Sequence, residues 1–407
     1  MGVHVAGGNR RFGRYIRALR CARHLTLEDV CRLAGGEPGS LTPAVLAACE
    51  RGEAALTTQQ MIQLAHLYGV RPAVLVERFE TDGDLGEVDR VRIARLPTPR
   101  LLMDASRAGM SGHVHRALLL YEQAELRALE GAADADEGIR ARARLGIATA
   151  LCGLGRYHLA REVLGELLED EPDDAARCWA MYMLCNIGIE IGDRILARGA
   201  HQTLLEIPRP WPPQIEGALP LLKARLLAQD QAATGDELLH ALLEARDAAK
   251  AHGLPTIEAE AMIRIARIER ARGDLRTAET WATRTAELAE TADLGWYRAT
   301  ALIELAQILH ARNRKREARK AWHRAEALAR RLGLREVRLA LHAERWRLAV
   351  QDGDEKTARR ELARARAELR CLGEVPLEYR DVVRALEQED LQKASHPEDE
   401  RNRSGGR

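Results

Sequence analysis

The chain has 407 residues, room for two or three domains at ~150 residues each. Its 62 Lys and Arg nearly cancel 61 Asp and Glu, leaving a formal +1, so no chain-wide charge draws it to nucleic acid or membrane. Aromatics make up 4%, with two Phe in all, which argues against an aromatic-rich β-sandwich or barrel. Arg outnumbers Lys 56 to 6, a bias that a GC-rich genome produces without any function.

The seven cysteines (21, 31, 49, 152, 178, 185 and 371) contain no C-x-x-C. A disulfide framework or zinc site needs paired thiolates, so these read as small core residues in a reducing cytoplasm. No secretory segment follows the start. The longest uncharged stretch, Ala54 to Val70, carries three Gln, two Thr and a His, which would be costly to bury in lipid. The expectation is a soluble cytoplasmic protein with no membrane contact.

In chain order, residues 1–9 are glycine-rich and expected to be disordered. On Arg10 to Arg23 a helical wheel puts Phe12, Tyr15, Ile16 and Leu19 on one face and Arg10, Arg14 and Arg17 opposite. Thr26 caps a second helix, with Asp29 offering the reciprocal carboxylate of a capping box. After the turn-forming GGEPGSLTP, Thr42 and Pro43 begin a third helix as N-cap and first residue. That helix ends near ERG at 50–52, and Thr57 or Thr58 begins a fourth. Residues 81–99, with two Gly and two Pro, read as a linker.

From residue 100 to 390 the chain repeats itself. Turn-like motifs begin at Gly112, Gly155, Gly192, Gly235, Gly273, Asn313 and Gly353, at spacings of 43, 37, 43, 38, 40 and 40. Five residues after six of them stands an Ala (117, 160, 197, 278, 318, 358); in the fourth unit the Ala is residue 241. Gly or Asn at a helix exit permits a left-handed backbone, and Ala lets the next helix pack closely. A period near 40 of helical hairpins predicts a stacked α-solenoid. A proline cluster at 207–220 interrupts it as a rigid connector, and 391–407 lacks apolar anchors and is expected to be a disordered tail.

These units resemble the tetratricopeptide repeat. The N-terminal run FGRYIRALR…LTLEDVCRLAGG…VLAACERG…MIQLAHLYGVRPAVL resembles the phage-repressor, Cro-type (XRE-family) helix-turn-helix. The fold expected is therefore all-α: a five-helix repressor-type head at 10–80, then a right-handed α-solenoid of about seven tetratricopeptide-like hairpins. The head's resemblance implies that the third helix lies in a major groove and that Arg20 pairs with Glu50. It assigns phosphate contact to Arg10, Arg14 and Arg17, with Thr42 and neighbouring backbone amides completing that grip, and turns Pro43, Ala44, Ala47 and Ala48 to the bases. The last four carry no side-chain donor or acceptor for base readout, which bidentate Arg, Gln or Asn normally supplies.

In tetratricopeptide arrays the first helix of each hairpin lines the concave surface. Counting back from the turns gives a candidate peptide- or partner-binding groove of Arg142, Trp179, Tyr182, Asn186, Arg225, Gln229, Arg267, Arg270, Gln307 and His310, with Thr149 on the same rung as Asn186, Gln229, Arg267 and Gln307. Such a ladder of hydrogen-bonding side chains suits an extended peptide backbone, with arginines for carboxylates.

No H-E-x-x-H, P-loop or G-x-S-x-G is present, and the two nitrogenous side chains of His113-x-His115 would point about 200° apart on a helix. No enzyme activity, metal or cofactor is expected. A repressor-type head on such an array resembles the peptide-sensing transcription regulators, which implies DNA and a peptide or protein as partners and admits a homodimer. The alternative is a repeat scaffold whose head no longer reads DNA.

Overall fold

The computed structural model describes residues 10–34, 41–84, 92–93, 95–135, 138–170, 172–230, 233–370 and 379–395. The expectations for 1–9, for most of the turn before the third helix, for 85–91 and for 396–407 lie outside these. Twenty helices and no strands are present among the described residues.

The head contains α1 (Arg10–Ala22), α2 (Leu27–Leu33), α3 (Pro43–Glu50), α4 (Thr58–Leu67) and α5 (Pro72–Asp84). Its caps are those the sequence dictates. Thr26 and Asp29 form a reciprocal capping box on α2, and Thr57 and Gln60 form one on α4. Thr42 Oγ1 accepts from the Val45 N–H at 3.3 Å, with Pro43 at the first helical position of α3. Phe12, Tyr15, Ile16 and Leu19 are buried against Leu46, Leu64, Tyr68 and Leu75. Gly13 is required where α1 crosses α3: a Cβ there would sit 2.8 Å from the Glu50 carbonyl oxygen.

The remaining helices form seven antiparallel hairpins. These are α6 (Thr98–Met110) with α7 (Val114–Leu129), α8 (Ile139–Gly153) with α9 (Tyr157–Glu169), and α10 (Asp174–Ile191) with α11 (Arg194–Glu206). They continue with α12 (Pro213–Ala228) and α13 (Gly235–Ala251), then α14 (Pro255–Arg272) and α15 (Leu275–Thr291). The last two are α16 (Gly295–Ala311) with α17 (Lys315–Leu332), and α18 (Arg335–Gln351) with α19 (Glu355–Leu369), followed by α20 (Arg380–Ser395). The Ala that opens the second helix is buried in five hairpins, at Ala117, Ala160, Ala197, Ala278 and Ala318, and half-buried in the other two, at Ala241 and Ala358. Gly273 and Asn313 exit their helices with φ of 86° and 59°, as a left-handed cap requires. Unit four departs from this: Gly235 is the first residue of α13, whose start is fixed by a Thr234–Glu237 capping box.

Three segments are more helical than the sequence suggested, one of them the start of the expected tail, where α20 runs on to Ser395. α5 runs to Asp84 and α6 starts at Thr98, taking both ends of the 81–99 stretch. The proline-rich stretch is irregular only over 207–212, because Pro213 occupies the first turn of α12, where its missing N–H costs nothing, and Pro220 lies inside that helix. Trp211 is buried there and donates to the Ile207 carbonyl at 2.9 Å, so it anchors the connector rather than offering a docking site.

The array closes on itself. Ser111 Oγ, in the turn of the first hairpin, donates to Asp293 Oδ2 at 2.9 Å, and Gly112 packs on Leu332 and Leu334. At this seam Gly295 has no room for a side chain: a Cβ would meet the Ser111 carbonyl oxygen at 2.6 Å. The ring so formed encloses a cavity of about 720 Å³.

Candidate nucleic-acid interface and ligand cavity

The outer end of α3 is open. Thr42, Pro43 and Ala44 are exposed and Ala47 is half-buried, so the head's third helix presents an accessible but chemically bare surface. Arg10 and Arg17 are exposed on α1. Arg20 and Glu50 pair in bidentate fashion at 2.7 and 2.9 Å, and Arg20 also donates to the Leu25 carbonyl at 2.8 Å. This ties α1 to the end of α3 and fixes the angle at which α3 is presented.

Arg14 is placed differently from its expected role. Its guanidinium donates to Glu130 at the end of α7, at 2.7, 3.0 and 3.2 Å. In this arrangement Arg14 joins the head to the array rather than standing free beside Arg10 and Arg17. The wheel shows that Arg14 leaves the head's own core, but not that a carboxylate 116 residues away receives it.

A buried ionic cluster completes the junction. Glu125 of α7 pairs with Arg78 of α5 and, at 2.9 Å, with Arg144 of α8. Burial works against the Glu125 carboxylate, yet the two guanidinium groups hold its pKa below the ordinary range. Arg144 reaches Asp170 at 2.7 Å, and the Arg71 N–H donates to Glu166 at 2.7 Å. Arg78 also stacks over the buried Tyr15 ring at 3.9 Å. The head is thus mounted on the first two hairpins.

Within the ring, Thr149, Asn186, Arg225, Gln229 and Arg267 line one cavity. Asn186 accepts from Arg225 and donates to the Tyr182 carbonyl at 2.9 Å, while Gln229 donates to the Ile189 carbonyl at 3.1 Å. Arg225 is 6% exposed and pairs with Glu190 and, at 3.6 Å, with Glu260. Burial opposes its charge, but Glu260 and Glu190 raise its pKa. Glu260, penalised by burial, is nonetheless held below its ordinary range by Arg225, Arg264 and Arg267. Glu190, Glu260 and Glu336 therefore balance Arg225, Arg264 and Arg267 along the wall. Of these cations Arg267 is the more open, with 41% of its side chain exposed and Glu304 at 3.4 Å.

The other predicted groove residues lie outside this lining. Arg142 is exposed on the first turn of α8, and Trp179 packs edge-on to Tyr182 with centroids 5.9 Å apart, beside the Trp211 cluster. Burial pushes Tyr182 up to about 12. Arg270 pairs with Glu304 at 2.5 Å, Gln307 is buried, and His310 lies 3.4 Å from Asp352. A regular drift accounts for this. The cavity sees the C-terminal ends of α8, α10 and α12, the length of α14, and only the N-terminal turns of α16 and α18. The inward stripe slides along successive helices, so a fixed count back from each turn fails in the later hairpins, and Arg142 lies too near the start of α8 to reach the cavity. Tyr121, Trp296, Tyr297 and Tyr379 complete the wall. Trp296 and Tyr297, at the start of α16, stand about three turns before Gln307, the position the count selects.

Comparison with known proteins agrees with the sequence reading of the head. Residues 11–79 match the helix-turn-helix domain family, and no curated protein matches the chain. Among solved structures, it is similar to the Rap protein complexed with competence and sporulation factor, at 13% identity over 68% of this chain and 77% of that one, with a TM-score of 0.49. It is similar also to Bacillus thuringiensis PlcR in complex with the peptide PapR7 and DNA, at 10% identity, 82% and 99% coverage and a TM-score of 0.33. A third is apo ComR from S. thermophilus, at 15% identity, 80% and 95% coverage and a TM-score of 0.20. The N-terminal domain is a helix-turn-helix on an all-helical array. No helix among the described residues is long and apolar enough to cross a membrane.

Proposed function

We propose that this chain is a DNA-binding transcription regulator whose ring of helical hairpins senses a peptide or protein segment. The observation that carries the reading is the mounting of the head. Helix α7 holds the head through Glu125 and Glu130, and one turn earlier presents Tyr121 to the cavity. An occupant that shifts α7 therefore shifts the head, which is the linkage a sensor requires. Amide, hydroxyl and aromatic side chains around one cavity suit an extended chain with apolar side chains. An acidic residue of that chain would face Arg264 and Arg267.

The bare surface of Pro43, Ala44 and Ala47 favours a second reading, a repeat scaffold that has kept the helix-turn-helix fold without sequence readout. Genomic-fragment selection with the full chain separates the two. A regulator enriches defined fragments, and its affinity for them changes when a peptide fraction from the same cells is added. Enrichment of nothing above random DNA, with partner proteins still captured by the array, would make it a scaffold.

A further inference from the structure

The formal charge of +1 conceals a strong asymmetry. Residues 312–370 hold 19 Lys and Arg against 9 Asp and Glu, a local +10, so the rest of the chain carries −9. Genomic bias towards Arg replaces Lys and leaves local charge unchanged, so it does not explain this excess. The excess sits on the outer layer of the array. Among the second helices, α9 and α13 each carry −2 and α15 carries −1, whereas α17 carries +5.

On α17 the basic residues share one solvent-facing side. Lys315, Arg316, Arg319, Lys320, Arg324 and Arg331 are all exposed, and among the described residues none has a carboxylate in ion-pair range. Neighbouring arginines are satisfied internally: Arg312 and Arg314 pair with Glu279, and Arg338 pairs with Glu368 at 2.8 Å. From Lys315 to Arg331 the stripe runs about 24 Å at 1.5 Å per residue, the length of about seven phosphates on one strand of a duplex. Because the ring closes, the end of α17 at Leu332 lies against Gly112 of the first hairpin, the hairpin on which the head is mounted.

We propose that the exposed face of α17 is a second nucleic-acid contact, which grips the phosphate backbone of a duplex without reading its sequence. Arginine forks match phosphate oxygens in pairs, and such a contact supplies the affinity that a third helix presenting Pro43, Ala44 and Ala47 does not. The contact extends the regulator reading, but it does not need the head to bind DNA, and the test keeps the two apart.

Fluorescence anisotropy of the full chain on a random duplex, across a range of salt, provides that test. Arg316→Ala, Arg319→Ala, Lys320→Ala and Arg324→Ala combined should weaken binding at least ~tenfold near 100 mM salt and flatten the log–log salt slope by up to ~3.6, since each lost phosphate contact removes ~0.9. Unchanged affinity and slope in a variant of native melting temperature would overturn the proposal. Arg17→Ala, measured separately, reports on the head: full binding in that variant with loss in the α17 variant would remove the head from DNA and leave this contact standing. A measurement on the native chain guards against misfolding. Acetylation of Lys315 and Lys320 should be suppressed by duplex while the exposed Lys223 and Lys250 react as before. Equal reactivity at all four lysines would overturn the assignment, as would binding of polyglutamate but not of duplex.

Discussion

The Arg14 guanidinium and the Glu130 carboxylate lock the head to the first hairpin through three hydrogen bonds, with 46% and 32% of the two side chains still exposed to water. At that exposure the pair contributes less than ~1 kcal/mol to stability. Its larger effect is to occupy a cation that would otherwise sit beside Arg10 and Arg17. Glu130→Ala should leave the melting temperature nearly unchanged while tightening binding to random duplex a few-fold, with a salt slope steeper by ~0.9 as Arg14 becomes available to phosphate. Anisotropy across salt reads both quantities; an unchanged slope would mean that Arg14 does not reach DNA even when released.

Arg20 and Glu50 are a different case, because both side chains are largely withdrawn from water and the guanidinium also serves the Leu25 carbonyl. Arg20→Ala strands the Glu50 carboxylate against α1 and should destabilise the head by ~3 kcal/mol. Thermal unfolding followed by circular dichroism should show the helix-turn-helix melting first, ahead of the array. A melt identical to that of the native chain would mean that the pair is not what fixes α1 on α3.

The last hairpin carries a device sensitive to acid. Glu361 is fully buried and accepts from His342 at 2.8 Å. Burial raises its pKa, but His342, Arg345 and Arg364 outweigh burial and bring it to about 2, against an ordinary 4.5. Its folded pKa is depressed, so its contribution is present above the unfolded value and is lost as pH falls through the folded one. About 3 kcal/mol of stability should therefore disappear between roughly pH 4.5 and 2. Glu361→Gln should be less stable by a similar amount at neutral pH and should lack that acid limb in urea titrations at stepped pH.

The cavity is tested through the residues that line it. Asn186→Ala leaves Arg225 without one partner, and Arg267→Ala removes the more open cation, so each should weaken the native occupant by ~1–3 kcal/mol, roughly five- to a hundred-fold. The exposed Glu287 serves as the control. Isothermal titration with the purified occupant gives the comparison. Equal affinities across Asn186→Ala, Arg267→Ala and Glu287→Ala would make the ring a spacer.

What could be read from the sequence was local. The Thr26–Asp29 box, the Thr42–Pro43 start and the glycine exits are each settled within four residues, so the helices and hairpins follow from short-range chemistry. The cavity is not local. Thr149, Asn186, Gln229 and Arg267 fall where counting from the turns puts them. Arg142 does not, because it stands two turns before Thr149 on a helix whose C-terminal end alone meets the cavity, and Gln307 and His310 do not, because the inward stripe has moved to the N-terminal turns of α16 by then. Nothing near Arg14 in the chain announces Glu130, and nothing near Ser111 announces Asp293.

That last contact has a further consequence. An open stack of hairpins can gain or lose a unit at little cost, since each unit meets only its neighbours. Here Ser111 must arrive at Asp293, and Gly112 at Leu332 and Leu334, after a fixed number of hairpins. One extra unit would carry the two ends past each other and set a side chain of the newcomer against the space that Gly295 leaves empty. The number of hairpins between Ser111 and Asp293 is therefore set by the circumference, and a chain with one more inserted between them would have to find another way to shut.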